Sequence, residues 1–380
     1  MRVLVLNPGS ATLKATVLDE PDPDARFDRT LEWSPSEAHS DRAETIAGLL
    51  GALPAEGIAP TTIEAVGYRV VHGGAELTEP TLVDDATLDA IDGLADLAPL
   101  HNPIAAATIR AARAALPAIP HVATFDTAFH AGLPEAARRY PLPDRWLDEW
   151  GIRRYGFHGL SVQWSVRRAG ELLDRPPEDL RLVVAHLGGG CSVTAVDGGR
   201  SIDTSMGLTP LEGLMMGTRA GSIDPGAVLR AVRLGGDVTA VEDDLEHRSG
   251  LLGVSGQTDD MRELLRLETA GDRRAALAID MFVGRTAAGI AAVATSLPSI
   301  DAVVFTGGIG EHAGAVRRRI EARLTALGVP VESDSTNDAR DAVLASGPPA
   351  VLRIHAREDL VIAAATADLA ARPRAPADRP

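Results

Sequence analysis

The order of hydrophobic and polar residues near the start of the chain recurs in its middle. Residues 2–20 (RVLVLNPGSATLKATVLDE) and 183–199 (VVAHLGGGCSVTAVDGG) each contain an apolar run, a turn of small residues and a second run of alternating polarity. This pattern predicts two strands joined by a turn. A third apolar run, within residues 301–314, leads into Gly307 and Gly308. Because strand–turn units recur about 180 residues apart, we predict an internal duplication.

Segments with helical periodicity lie between and after these units. They are residues 108–118, 161–173, 260–297 and 313–328. Apolar side chains spaced in this way are typical of amphipathic helices. Strands that alternate with helices indicate an α/β fold. Turns of small residues in both halves of the chain favour a ligand held between two domains.

Composition excludes several classes of protein. The chain has 380 residues, of which 45% are hydrophobic and 24% charged, as in an ordinary soluble protein of two or three domains. Its net charge of −16 argues against a nucleic-acid partner. No apolar run approaches about 20 residues without glycine, proline or charge, so we expect no membrane span. Cys191 is the only cysteine and the start of the chain does not read as a signal peptide, so we expect a cytoplasmic protein.

Two turns are candidate phosphate-binding sites. Three successive glycines, Gly188–Gly190, follow His186, and bare backbone N–H groups in such a turn cradle anions. A wide hairpin with a bulge is the alternative interpretation. The other turn precedes Lys14, the only lysine in the chain. An ammonium group differs from a guanidinium in size and hydration, which makes Lys14 a candidate phosphate ligand, although chance survival would also explain it.

Arginines and carboxylates in other stretches are further candidates. Arg69 and Arg219 lie in glycine-rich stretches, and arginine suits the oxygens of phosphate or carboxylate groups. Asp126 stands between two phenylalanines, either as a functional carboxylate or as a buried, hydrogen-bonded one. Glu358 and Asp359 begin an apolar helix, where they would also interact favourably with the helix dipole.

Two histidines complete the set of candidates. His101 lies in a proline-flanked loop, where a structural role is the alternative, and His158 follows an aromatic pair. Anion-cradling turns, cations and metal-holding carboxylates are the requirements of phosphoryl transfer. The Walker pattern and the protein-kinase loops are missing from the sequence, so an ATP site would belong to another fold.

The motifs resemble those of the acetate kinase family, in order and spacing, from residue 1 to about 370. They are NPGSATLK, RVVHGG, APLHNP, FDTAFH, RRYGFHG, DTSMGLTPLEGLMMGTRAGSIDP, GLLGVSG, FTGGIGE and REDLVIA. The resemblance implies a duplicated actin-like, hexokinase-like ATPase fold with two domains flanking a central cleft. It also implies a homodimer and the reaction ATP + acetate ⇌ ADP + acetyl phosphate, with Mg²⁺ or alternatively Mn²⁺. The implied domains are residues 1–130 with 360–372, and residues 131–359, before a disordered tail at 373–380.

The resemblance also implies roles for the residues at matching positions. The catalytic residues would be Arg69, Asp126, His158 and Arg219, of which His158 and Arg219 would stabilise the transition state. The metal would be held by Asn7, Asp126 and Glu358. ATP would be bound by Ser10, Thr12, Lys14, His186, Gly188, Gly189, Gly190, Asp260, Met261, Arg262, Gly307, Gly308, Ile309, Gly310 and Glu311. The acid would be bound by Arg69, Val71, Leu100, His101, Phe157 and Pro210.

The sequence departs from the family pattern at several positions. Gly189 stands where the family has asparagine, so an amide that could contact the nucleotide phosphates is missing. The resulting HLGGG stretch is similar to butyrate kinases, but these lack the long DTSMGL string. The other departures are Pro8, Ala11, Tyr68, Val162 and His312.

Three functions therefore stay open. The first is a kinase for acetate and then propionate, since one methylene group changes binding by only about 1–3 kcal/mol. The second is a kinase for butyrate or a branched-chain acid, which the HLGGG stretch alone favours. The third is a nucleotide-binding regulator without catalysis. A phosphoryl donor other than ATP, such as pyrophosphate, is also open.

Overall fold

The computed structural model describes residues 1–9, 12–22, 24–32, 39–333 and 340–372. Ser10 and the expected disordered tail, 373–380, lie outside the described residues. The chain divides into two compact units. Unit 1 comprises Met1–Ala131 and the chain from Arg357 onward, and unit 2 comprises Gly132–Ala356.

Strands and helices alternate along both units, as the α/β pattern predicts. The strands are β1 Arg2–Pro8, β2 Thr12–Asp19, β3 Ala25–Glu32, β4 Ala65–Val70, β5 Thr81–Leu82, β6 His121–Phe125, β7 Arg181–Leu187, β8 Cys191–Asp197, β9 Arg200–Thr204, β10 Ala302–Thr306, β11 Ala342–Ala345 and β12 Ala350–Arg353. The α-helices are α1 His39–Ala52, α2 Asp85–Gly93, α3 Asn102–Ala115, α4 Glu135–Arg138, α5 Arg145–Asp148, α6 Gly159–Leu173, α7 Pro225–Arg233, α8 Val238–His247, α9 Gly250–Ser255, α10 Met261–Thr269, α11 Arg273–Ala294, α12 Gly307–His312, α13 Gly314–Arg323 and α14 Glu358–Ala370.

Each unit contains one six-stranded sheet, and the two sheets have the same strand order. The order is β3-β2-β1-β4-β6-β5 in unit 1 and β9-β8-β7-β10-β12-β11 in unit 2. The strands β1, β4 and β6 run parallel, and so do β7, β10 and β12, whereas the other neighbours are antiparallel. The strands of the two sheets therefore correspond one to one: β7 in the second sheet occupies the position of β1 in the first, β8 that of β2, and so on to β12 and β6. This topology confirms the predicted duplication.

Helices cover both faces of the unit 1 sheet. Leu4, Leu6 and Tyr68 on one face belong to a buried cluster that includes side chains of α1, α2 and α3. The opposite face, which carries Gly67, packs against α14, because successive strand residues point to opposite sides. A Cβ atom on Gly67 would lie 2.3 Å from Thr366 Oγ1, so the glycine permits the close approach of α14. This packing brings the first residue of α14 to the ends of the parallel strands.

The expected helical stretch 260–297 is two helices, α10 and α11, rather than one. Gly271 has a φ of +90°, which a helix does not allow. The carboxylate of Asp272 then caps α11 by accepting hydrogen bonds from the backbone N–H groups of Arg274 and Ala275. Helix α11 is long and apolar enough to cross a membrane by length and composition. In unit 2 it packs against β8 and α10, and Phe282 is among its buried side chains.

Candidate active site

Four polar side chains of unit 1 meet at the carboxyl ends of its parallel strands. Asn7 lies at the end of β1, Arg69 at the end of β4, and Asp126 directly after β6. The carboxyl ends of parallel strands lie at one edge of a sheet, which is where open α/β sheets bind their ligands. Glu358 reaches the same place as the first residue of α14. The structure thus brings together residues that are separated by up to 351 positions in the chain.

Arg69 is the centre of this cluster. Its Nη2 lies 2.6 Å from Oδ2 of Asp126 and its Nε lies 3.0 Å from Oδ1. Its Nη1 lies 3.3 Å from Oε2 of Glu358 and donates to Oδ1 of Asn7 at 3.4 Å. Burial acts to lower the pKa of Arg69, but the charges of Asp126 and Glu358 outweigh it, so the pKa is raised. Arg69 is therefore a fixed, fully charged guanidinium.

A buried amide connects the segment after β4 to the start of α3. Oδ1 of Asn102 accepts a hydrogen bond from the backbone N–H of His72 at 3.1 Å, and its Nδ2 donates to the carbonyl of His72 at 2.9 Å. Val71 precedes His72, and the pair Leu100 and His101 precedes Asn102. The hydrogen bonds of Asn102 thus join the two segments that carry these three candidate acid-binding residues. Sequence reasoning did not identify Asn102.

The first glycine turn is closed by its own backbone. The N–H of Gly9 donates to the carbonyl of Thr12 at 2.7 Å. Thr12 is exposed, and Nζ of Lys14, on β2, lies 3.5 Å from Oδ2 of Asp28. Both of these charged side chains are about half exposed, so the ion pair contributes little and Lys14 can exchange it for another anion.

The second glycine turn, between β7 and β8, lies against two histidines and an arginine. A Cβ atom on Gly190 would lie 3.2 Å from Nε2 of His158 and 3.7 Å from Nη1 of Arg219. The rings of His158 and His186 stack with their centroids 4.2 Å apart. The structure therefore brings these four predicted residues of unit 2 together around Gly190, where a larger side chain would crowd the histidine.

Serine side chains orient the two histidines. Nδ1 of His158 is hydrogen-bonded to Oγ of Ser192 at 2.9 Å, and Nδ1 of His186 to Oγ of Ser161 at 2.8 Å. His158 has a φ of +59°, in a region that non-glycine residues rarely adopt and that is often found at functional sites. With Nδ1 bound to Ser192, Nε2 of His158 lies against Gly190 of the glycine turn.

Arg219 is positioned by a carboxylate that sequence reasoning missed. Its Nε lies 2.7 Å from Oε2 of Glu246 in α8, and both side chains are 18% exposed. The hydroxyl of Thr218 also donates to the carbonyl of Glu246 at 2.8 Å. No motif in the sequence distinguishes Glu246 from the other acids of α8.

A cavity of about 730 Å³ opens beside the second glycine turn. It is lined by Gly188, Gly189, Asp259, Asp260, Met261, Arg262, Leu265, Gly308, Ile309, His312, Ala313, Gly314 and Ala315. Most of the predicted nucleotide-binding residues of unit 2 are in this lining. Asp259, Leu265 and the segment 313–315 were not predicted.

Gly307, Gly310 and Glu311 are not among the residues that line this cavity. Glu311 is buried, and its Oε2 lies 2.6 Å from Nδ1 of His355 while its Oε1 accepts from the N–H of Ala356 at 3.0 Å. Burial raises the pKa of Glu311, but these hydrogen bonds outweigh it and lower the pKa. The carboxylate of Glu311 therefore holds the segment before α14 and is not part of the cavity lining.

The two remaining candidate acid-binding residues lie on separate segments of unit 2. Phe157 is 1% exposed and directly precedes His158. Pro210 is half-buried in the segment between β9 and α7, which contains neither helix nor strand over residues 205–224. The position of Pro210 therefore depends on hydrogen bonds and packing outside regular secondary structure rather than on a sheet or helix.

Comparisons with known proteins agree on one family. The model of the acetokinase family matches residues 29–364. An acetate kinase from Synechococcus sp. is 49% identical over 310 residues, which are 81% of this chain and 77% of that protein. The crystal structure of Porphyromonas gingivalis acetate kinase superposes with a TM-score of 0.87 at 31% identity, covering 97% of this chain and 99% of that one. A propionate kinase from Francisella tularensis superposes with a TM-score of 0.86 at 35% identity and the same coverage.

Proposed function

Because the chain belongs to the acetokinase family, we propose that it transfers the γ-phosphoryl group of ATP to acetate. A carboxylate oxygen of acetate forms a bond to the γ-phosphorus, the bond to the bridging oxygen of ADP breaks, and acetyl phosphate and ADP leave. The observation that carries this proposal is the cluster in which Arg69 is held by two carboxylates at the ends of parallel strands. Such chemistry needs positioned cations and a metal rather than a covalent nucleophile.

Arg69 would bind an oxygen of the acid or of the phosphoryl group. Its Nη2 and Nε are held by Asp126, so the guanidinium is oriented before a ligand arrives and less rotamer entropy is lost on binding. In unit 2, Arg219 and Nε2 of His158 would bind oxygens of the phosphoryl group, where negative charge is spread in the transition state. His101 would be a further ligand of the anionic groups.

The residues of unit 1 fit a Mg²⁺ ion. Among the described residues, no group of three or more His, Cys, Asp or Glu side chains is arranged to hold a metal. Mg²⁺, however, is usually bound by one or two carboxylates with waters and substrate phosphates. Asp126 and Glu358 would supply the carboxylates and Asn7 an amide oxygen. The ion supplies charge neutralisation for the β- and γ-phosphates when bound, and Mn²⁺ has the same preference for oxygen ligands.

The cavity of unit 2 would hold the nucleotide. Its volume of about 730 Å³ lies within the usual range for small-molecule sites. The backbone N–H groups of Gly189 and Gly190 and the side chain of His186 would contact phosphates, while the N–H of Gly188 closes the turn by donating to the carbonyl of Gly190 at 3.0 Å. In unit 1, Ser10, Thr12 and Lys14 of the first turn would contact phosphates in the same way. The adenosine would contact Asp260–Arg262 and the backbone of Gly308 and Ile309, whereas Gly307, Gly310 and Glu311 would shape this segment without lining the cavity.

The alkyl group of the acid would be bound by small apolar surfaces. We assign this role to Val71 and Leu100 in unit 1, and to Phe157 and Pro210 in unit 2. A pocket of this kind distinguishes acids that differ by one methylene group by about 1–3 kcal/mol. Propionate is therefore the second candidate substrate, and the similarity to the Francisella tularensis propionate kinase favours it.

The test is acyl-phosphate formation trapped with hydroxylamine. ATP and Mg²⁺ are supplied with acetate, propionate or butyrate in parallel, and pyrophosphate replaces ATP in a control reaction. We expect acetate to react fastest, propionate more slowly and butyrate least, with no product after chelation of the metal. A faster reaction with butyrate than with acetate would show that the protein is a kinase for longer acids. Tight ATP binding without product from any acid would indicate a nucleotide-binding regulator. Product formed with pyrophosphate but not with ATP would identify pyrophosphate as the phosphoryl donor.

We also propose a homodimer, formed through α7 and α8. Neither helix has a buried side chain, and Leu229, Leu234 and Val238 are 54%, 68% and 66% exposed. Two such short helices are marginal unless an apolar face is covered. A second copy suits this surface because α7 carries Arg230 and Arg233 whereas α8 is acidic, so a two-fold axis would pair opposite charges.

The dimer is tested by light scattering after size exclusion. Leu229→Asp is expected to give a monomer, whereas Leu327→Asp, at a residue 39% exposed outside α7 and α8, is expected to leave the dimer intact. An unchanged mass for Leu229→Asp would place the interface elsewhere, and a monomeric wild type would refute the dimer.

We further propose a cytoplasmic location without a membrane or nucleic-acid partner, in keeping with the net charge of −16.

A further inference from the structure

Arg154 connects three separate segments of unit 2. Its Nη1 donates to the carbonyls of Thr204, Ser205 and Met206 at 2.9, 3.1 and 3.0 Å. Its Nε donates to the carbonyl of Ala137 at 3.2 Å. The Arg154 side chain is 16% exposed, and it lies only four residues before His158, so the segment with the candidate catalytic histidine is tied to the end of β9.

Glu212 and Tyr140 complete the connection. Nη2 of Arg154 donates to Oε1 of Glu212 at 3.0 Å, and the hydroxyl of Tyr140 donates to Oε2 of the same carboxylate. The Tyr140 hydroxyl also accepts from the backbone N–H of Leu208 at 3.0 Å. Burial, followed by the hydrogen bond to Glu212, raises the pKa of Tyr140, so its proton is retained. Tyr140, Arg154 and Glu212 thus hold both ends of residues 208–212, and Pro210 is in the middle.

Close packing confines this segment further. A Cβ atom on Gly207 would lie 1.7 Å from Oε2 of Glu212 and 2.0 Å from the hydroxyl of Tyr140, so the two polar groups lie directly against the backbone. The carbonyl of Gly207 accepts from the N–H of Tyr155 at 3.0 Å. Side-chain and backbone hydrogen bonds therefore connect the segment that contains Pro210 to the segment that contains Phe157.

The geometry points to Tyr140, Arg154 and Glu212 as positioning residues that determine which short acid is accepted. They do so by fixing Pro210 relative to Phe157, and the inference rests on the proposed function, which has these two residues contact the acid. None of the three is assigned to touch a reacting atom. Because residues 205–224 contain neither helix nor strand, no sheet or helix would restore the position of Pro210 if the cluster were broken.

Tyr140→Phe tests this inference, because it removes one hydroxyl and keeps the ring. The N–H of Leu208 then loses its acceptor. We expect KM for acetate to rise about tenfold with kcat within about twofold, and the preference for acetate over propionate to fall by up to about tenfold. The matched control is Tyr155→Phe, which removes a hydroxyl whose hydrogen bond to the carbonyl of Gly151 is 3.4 Å long, and should leave the preference unchanged.

A second pair of variants separates positioning from folding. Glu212→Gln keeps an acceptor for Arg154 and the shape of the side chain, so its acid preference should stay within about twofold of the wild type, whereas Glu212→Ala should match Tyr140→Phe. Thermal unfolding of each variant is recorded alongside. The inference is overturned if Tyr140→Phe and Glu212→Ala lower kcat equally for both acids, or if their acid preference equals that of Tyr155→Phe. A wild type that phosphorylates neither acid would instead refute the proposed function.

Discussion

Both oxygens of Asp126 are bound by Arg69, with Nη2–Oδ2 at 2.6 Å and Nε–Oδ1 at 3.0 Å. The Asp126 side chain is 1% exposed and that of Arg69 is 20% exposed, so the pair lies at the boundary between the core of unit 1 and solvent. A paired arginine of this kind is oriented before a ligand arrives. The same pairing makes each partner necessary for the stability of the other, because an unpaired charge would be left in a buried place.

Arg69→Gln should therefore reduce both stability and activity. We expect a loss of about 3–5 kcal/mol in the free energy of unfolding, because the Asp126 carboxylate loses its counter-charge. We expect kcat/KM for acetate to fall about 10³-fold. Urea unfolding and the hydroxylamine assay measure the two effects. Arg113→Gln is the control, since its partner Asp85 is 93% exposed and such a pair contributes at most about 1 kcal/mol. Equal stability losses in the two variants would contradict the prediction.

Gly189→Asn should be tolerated and should tighten ATP binding. A Cβ atom at Gly189 meets no atom of the described residues within 4 Å, and Gly189 lines the cavity, so the new amide would extend into the cavity. We expect KM for ATP to fall about threefold, from one added hydrogen bond, with little change in stability. The control is Gly307→Ala, where φ is +77° and the new Cβ would lie 2.8 Å from the carbonyl oxygen of Leu187. A lower melting temperature for Gly189→Asn than for Gly307→Ala would argue against this geometry.

Glu246→Gln should reduce turnover through Arg219. The neutral amide keeps an acceptor for Nε of Arg219 but removes the charge that holds the guanidinium in one place. We expect kcat to fall about tenfold while KM for ATP stays within about twofold. Glu242→Gln, at an exposed position in the same helix, is the matched control. Should both variants turn over as fast as the wild type, Arg219 does not depend on Glu246.

The carboxyl group of Glu321 should make unfolding depend on pH. It is fully buried, and Oε1 has no hydrogen-bond partner within the described parts of the chain. Burial raises its pKa to about 7; the hydrogen bond from the N–H of Glu332 and the charges of Arg317 and Arg318 oppose the rise, and the charge of Glu332 adds to it. A raised pKa in the folded state stabilises the protein while the group is protonated, so this contribution is complete below about pH 4.5 and is lost as pH rises through about 7.

Glu321→Gln mimics the protonated group and keeps an acceptor for the N–H of Glu332, which is 2.8 Å from Oε2. The variant should match the wild type at pH 5 and exceed it at pH 8.5 by about 3 kcal/mol in the free energy of unfolding. Chemical unfolding at the two pH values measures the difference. Parallel pH profiles for the two proteins would show that Glu321 does not titrate between them.

The break between α10 and α11 shows where reading the sequence failed. Helical periodicity continues from residue 260 to 297, and the pattern alone does not reveal that Gly271 adopts a φ of +90°. Asp272 was the available signal, because an aspartate after a glycine is a common start of a helix. Glu246 and Glu212 had no such signal. Each is one acid among several, and its role depends on an arginine that is distant in sequence.

The sequence by itself determined the two strand–turn–strand units, their duplication and the family. These depend on the local alternation of apolar and polar residues and on motifs that are contiguous in the chain. Only the tertiary structure decided which charges meet, because ion pairs depend on distances that the order of strands sets. Asn7 and Glu358 are 351 residues apart and form a hydrogen bond of 3.3 Å, since α14 packs across Gly67 and begins beside the end of β1. The same reason explains Arg154, whose five acceptors lie on three segments that no periodicity connects.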